Sequence, residues 1–194
     1  MAPEAIEAAI IELRDVWVAL GQRSARWKPG PRRSEDSLRE FEQRLGAPLP
    51  IGYRTYLREI GDGGRGLADA PRPLHEFTAD EIERARKPFP LTRAWYSPDP
   101  FNIKLCKKFG LYDERKDLFV ELPEGVEPTD GTLLIGAPTG THEYHVLVVA
   151  GPHAGEVWVD ATGEDTGGVT PLAPDFLSAS LDYLRAILAD YEAG

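Results

Sequence analysis

Residues 131–161 read GTLLIGAPTGTHEYHVLVVAGPHAGEVWVDA, and they change the rhythm of the chain. Upstream, apolar residues recur every three or four positions; here they run together or alternate, which is the pattern of strands. GTLLIGA and YHVLVVA read as two strands, GPHAG as a turn, and EVWVDA as the returning arm of a hairpin. In EVWVD, Glu156, Trp158 and Asp160 fall on one face of the strand and Val157 and Val159 on the other. A tryptophan between two carboxylates is either capped by the terminal helix or exposed; exposed, it would anchor a protein interface.

Helical segments flank this region. EAIEAAIIELRDVWVAL, residues 4–20, places Ile6, Ile10, Leu13, Trp17 and Leu20 on one face, with Pro3 suited to the first turn and Gly21 to the exit. A basic, Pro-rich connector, RSARWKPGPRRSED, follows. DSLREFEQRL then buries Leu38, Phe41 and Leu45, with Ser37 and Glu40 as a capping box and Gly46 as its stop. Pro50 opens a further helix with Tyr53, Tyr56, Leu57 and Ile60 turned inward, and TADEIERARK forms a short one boxed by Thr78 and Glu81. After 33 irregular residues (88–120) and the hairpin, TGEDTGG reads as an acidic turn. PDFLSASLDYLRAILADY closes the chain as a helix with Phe176, Leu177, Leu181, Leu184 and Leu188 along its apolar stripe. Helices, then strands, then a terminal helix predict an α+β fold. Residues 1–33 form the N-terminal helix and connector, residues 34–194 the main domain, and the whole reads as one globular unit.

EIGDGGRG, residues 59–66, contains the glycine spacing of a dinucleotide loop. Such glycines hold a pyrophosphate when they follow a strand and open a helix, whose terminal amides face the anion. Gly61 instead follows a helix, where carbonyls are presented and the dipole is negative. LADAPRP after Gly66 does not begin a helix cleanly. The loop is expected to turn a corner and to bind no nucleotide.

The net charge of −10 argues against nucleic acid as a partner, and its distribution is uneven. Residues 1–120 carry 21 basic and 19 acidic groups, whereas residues 121–194 carry 13 acids against the single basic Arg185. No apolar run approaches the ~20 residues that span a bilayer. The opening MAPEAIEAAI has acids where a signal peptide has a basic flank. The one cysteine, Cys106, cannot form an internal disulfide, so a reducing compartment, most simply the cytoplasm, is expected.

Motifs for catalysis are lacking. His142, His145 and His153 are close in sequence, but residues three apart in a strand diverge, and no second cysteine completes a zinc set. There is no G-x-S-x-G, and the Lys104, Lys107 and Lys108 cluster reads as a solvated face. No metal, cofactor or catalytic group is expected.

The order of motifs resembles the SUKH superfamily, the Smi/Knr-type domain. LREFEQRLGAPLPIGYRTYLREIGDGGRG is similar to its signature, with Glu42 as the helical glutamate, Leu49–Pro50 as the LP pair and Gly63–Gly64 as the glycines. Residues 131–161 are similar to its central strands, including Gly155, Glu156 and Val157, and PDFLSASLDYL to its closing helix. The resemblance covers residues 35–188, with 88–130 fitting poorly. It implies N-terminal helices, a central antiparallel or mixed sheet and a C-terminal helix packed on it. It also implies an immunity protein that neutralises a polymorphic toxin, often a nuclease, without catalysis. A scaffold of the same fold without a toxin is the alternative, and a small hydrolase with a dispersed site the third reading. For the first reading the partner would be a basic toxin domain, met by Glu121, Glu124, Glu127, Asp130, Glu143, Trp158, Asp160, Glu164 and Asp165.

Overall fold

The computed structural model describes residues 2–64, 72–136 and 142–193. The first helix, α1 (Pro3–Arg23), starts on Pro3 as expected, since a proline lacks only an amide that the first turn leaves unbonded. It passes through Gly21 and ends at Ser24, whose amide donates to the Leu20 carbonyl. The expected exit at Gly21 is therefore three residues early, because the buried pair Trp17 and Leu20 holds the last turn in place.

The second helix, α2 (Glu35–Leu45), begins one turn before the expected box. Ser34, not Ser37, is the cap, and its hydroxyl accepts from the Ser37 amide at 3.2 Å. Two serines three apart are equivalent by local rules, and the acids Glu35 and Asp36 favour the earlier one by facing the positive helix start. Gly46 stops the helix in the left-handed region at φ 76°. Glu42 then reaches past the end of α2, accepting from the Leu49 amide and from Arg54 Nε, both at 3.0 Å. This carboxylate fixes the path into α3 (Ile51–Glu59). Tyr53, Tyr56, Leu57 and Ile60 are buried, as the spacing requires. α4 (Ala79–Ala85) carries the complete Thr78–Glu81 capping box.

Residues 88–120, irregular by sequence, contain β1 (Trp95–Tyr96), α5 (Pro100–Lys108) and α6 (Tyr112–Arg115). The hairpin expected from sequence is present as β3 (Tyr144–Val148) and β4 (Val157–Asp160), preceded by β2 (Thr132–Gly136). A further strand, β5 (Gly168–Ala173), was hidden by its glycine and by Pro171. Pro171 lies opposite Trp158 of β4 and beyond the reach of β1, which pairs only with Gly168 and Val169, so at this position β5 has a partner strand on one side alone. The sheet is antiparallel throughout, in the order β1-β5-β4-β3-β2. The closing helix α7 (Phe176–Ala193) packs on α1 and α3. The fold is α+β.

The sheet has two covered faces. Leu133, Ile135, Leu147 and Val157 point into the main core with α1, α2, α3 and α7, where Leu57, Leu177 and Leu184 are fully buried. Their alternates Val146, Val148, Trp158 and Val169 form a smaller cluster under Phe89, Leu91, Trp95 and Leu122. Trp158 is therefore capped, but by the segment around Phe89 (ring centroids 5.0 Å apart) and not by the terminal helix. The helix and the tryptophan lie on opposite faces because Val157, one residue away, takes the helical side.

Candidate functional site

The glycine loop follows α3, and the amides of Ile60 and Gly61 both turn back to the Tyr56 carbonyl. Gly63 and Gly64 have φ of 76° and 88°, which a side chain would strain. Their backbone meets the Pro-rich connector: the Gly30 amide donates to the Gly63 carbonyl and the Asp62 amide to the Pro31 carbonyl, each at 2.9 Å. The Asp62 side chain, fully buried, accepts from Arg33 Nε and from the Leu74 amide at 3.1 Å. The connector packs directly on this backbone: a Cβ at Gly61 would meet the Gly30 carbonyl oxygen and one at Gly64 the Lys28 carbonyl oxygen. Gly66, the third glycine of the motif, lies outside the described residues. The connector is not merely a polar link either, since Trp27 is buried against Trp17 and donates to Tyr191.

The nine residues expected on a partner-binding face do not form one surface. Tyr144 pairs with Asp160, which sets Glu143 and Asp160 at one end of the sheet. Glu164 and Asp165 lie in the turn from β4 to β5 at that same end, and a Glu164 carboxylate oxygen accepts from the His142 amide at 3.0 Å. Glu124 and Glu127 belong to the approach to β2, whose first residue, Thr132, pairs with Val148 at the opposite end. Glu121, also exposed, follows the Val120 carbonyl that accepts from Trp95 Nε1 beside β1.

Two of the nine are excluded from contact with a partner. Trp158 is 1% exposed. Asp130 is 2% exposed; Lys87 Nζ lies 3.2 Å from its Oδ1, and its Oδ2 accepts from the Glu127 amide at 3.1 Å. Asp130 closes the turn into β2. A carboxylate at a turn looks the same in sequence whether it faces water or the backbone, and only the position of Lys87 distinguishes the two.

A cleft of about 130 Å³ runs along the sheet between the end holding Glu143 and Asp160, where it is lined by Tyr144 and Asp160, and the start of β2, where it is lined by Thr129 and Thr132. Leu134 and Val146 form its floor, α4 contributes Glu81 and Arg84, and Tyr144 and Asp160 line its other side. Tyr144 is 38% exposed. It was missed as a site residue, although the alternation of Tyr144, Val146 and Val148 places it on the Trp158 face, one pair nearer the sheet end. Glu81 accepts from both Arg72 and Thr78, and the Arg72 guanidinium above all holds its carboxyl down at about 2. Asp160 accepts from the Thr162 amide at 3.0 Å and its hydroxyl at 2.6 Å. Carboxylates committed to donors in this way are acceptors of fixed geometry and poor proton shuttles. Arg115 borders the end, donating to the Thr166 carbonyl at 2.7 Å.

The histidines separate. His142 sits by Glu164, His153 by Glu156 at 2.9 Å, and His145 is buried, which depresses its basicity. Among the described residues, no three His, Cys, Asp or Glu side chains are placed to hold a metal ion. Among them, too, no helix is long and apolar enough to cross a membrane. The chain matches no family model and no curated protein.

Proposed function

We propose that the chain is a binding protein of the SUKH superfamily that neutralises a toxin by covering its active surface, with no chemistry of its own. The observation that supports this reading is the acidic sheet end, where Tyr144, exposed, and Asp160, its strand partner, line a cleft and Glu143, Glu164 and Asp165 lie in the adjoining stretches of chain. An exposed aromatic ring with a polar tip, set beside a carboxylate, is the composition of an interface anchor. Enzymes that cut nucleic acid need cationic surfaces to hold phosphates, so an acidic end can occupy the ground their substrate uses. The partner is thus a basic protein domain of nuclease type, met in the cytoplasm, where the lone buried Cys106 would stay reduced.

The test is co-expression with the C-terminal domain of a large secreted protein encoded immediately upstream. The tagged chain should retain that domain and protect the cells that make it. Tyr144→Ala should weaken both effects without lowering the amount of folded protein. A domain that is toxic and is neither retained nor neutralised would refute the reading. Retention of a non-toxic neighbour would replace it with a scaffold of the same fold.

A further inference from the structure

A second surface lies on the other side of the molecule's core, between α1 and α3. A groove of about 650 Å³ runs there over Ile6, Ile10, Ile11 and Ile51. Ile11 is 52% and Ile51 57% exposed, and Val18, two turns beyond Ile11 on the same face of α1, is 61% exposed. Three large aliphatic side chains held open along two neighbouring helices form an uncovered apolar strip. None of them is needed for the acidic end described above.

The charges beside the strip are of both signs. Glu7 and Arg14 border it on α1, Arg58 and Glu59 on α3. Arg14 and Arg58 already bond Glu59, and Arg58 also bonds Glu35. Glu7, by contrast, has no ion pair among the described residues. A strip with unbalanced charge would select a partner of opposite sign. One with both signs in a fixed order fits a copy of itself, because a two-fold axis brings each group to the other's place.

We infer that this groove is the interface of a homodimer, its occupant being the same face of a second copy of the chain. An axis passing between Ile10 and Ile11 sets the two α1 helices antiparallel. Glu7 of one copy then faces Arg14 of the other, twice, and Val18 meets the other copy's Pro3. Ile11 and Ile51 of both copies close the centre. The arrangement leaves the acidic sheet ends free, so each dimer presents two identical binding ends.

Sedimentation velocity of the full chain over a wide concentration range provides the test. The wild-type chain should reach twice the chain mass as concentration rises, and Ile11→Asp should raise the dissociation constant by at least about tenfold. Ile51→Asp, on the other helix, should act alike, and circular dichroism should show both variants folded. Glu7→Arg, which sets a second cation against the other copy's Arg14 at both ends of the contact, should raise the dissociation constant at least about threefold. A wild-type chain that stays monomeric at every concentration overturns the inference. A dimer indifferent to both aspartates, or to Glu7→Arg, overturns it equally.

Discussion

Replacing Asp62 by alanine should destabilise the fold strongly, although the residue is not part of the apolar core. Its carboxylate is fully buried and accepts from Arg33 and from the Leu74 amide. Alanine leaves a buried amide unsatisfied, which costs ~1–3 kcal/mol, and strands a guanidinium that is only 23% exposed. Removing one partner of a buried ion pair costs ~3–5 kcal/mol in all. At ~2–4 °C per kcal/mol for a chain of this size, the melting midpoint should fall by roughly 6–20 °C. Asp62→Asn keeps an acceptor for the Leu74 amide and should cost less than alanine. The assay is urea unfolding, read with the slope held in view so that a lower midpoint reports stability and not a change in compactness. Adding Arg33→Met to Asp62→Ala should cost little more, because the charge left stranded is then gone. A loss below about 1 kcal/mol for Asp62→Ala would refute the view that this aspartate clasps the glycine loop to the connector.

Other outcomes follow from single contacts. Leu57→Ala should cost ~2–5 kcal/mol in the same assay, since Leu57 is 1% exposed at the centre of the main core. Glu81, with its carboxyl held at about 2 against an ordinary 4.5, stabilises the fold above 4.5 and loses that contribution as the pH falls toward 2. Glu81→Gln should therefore cost about 1–3 kcal/mol at neutral pH, and the gap to wild type should close on acidification. Glu124→Lys with Glu127→Lys should leave the unfolding midpoint nearly unchanged, whereas Asp130→Lys should lower it sharply by setting a cation beside Lys87 in a buried turn. A nucleotide titration of the intact chain should show no saturable binding at the glycine loop.

The helices were legible because their signals are local. The stripe on α1, the inward set on α3 and the Thr78–Glu81 box each follow from residues three and four apart. The second start of α2 was not, since Ser34 and Ser37 offer the same hydroxyl and only the acids between them decide. β5 was hidden because a proline is read as a strand breaker unless one knows that β1 stops short of it and leaves β4 as its one neighbour. The candidate site was legible only in part. Charge counting found the acids, but strand pairing sorts them into two ends, and burial removes Asp130 and Trp158. Tyr144 could have been found from its alternation with Val146 and Val148, had the sheet end been known to be open.

The most direct test of the binding role is the association rate of the chain with the upstream-encoded toxin domain, measured from low to high salt. Exposed charges act over a Debye length of ~8 Å at physiological ionic strength and fade as salt rises. The wild-type chain should associate fast at low salt and slow steeply as salt is added. A Glu143→Lys, Asp165→Lys variant should associate at least about tenfold more slowly at low salt and approach the wild-type rate at high salt. Equal rates for the two proteins at low salt would contradict the assignment of the acidic sheet end as the binding surface.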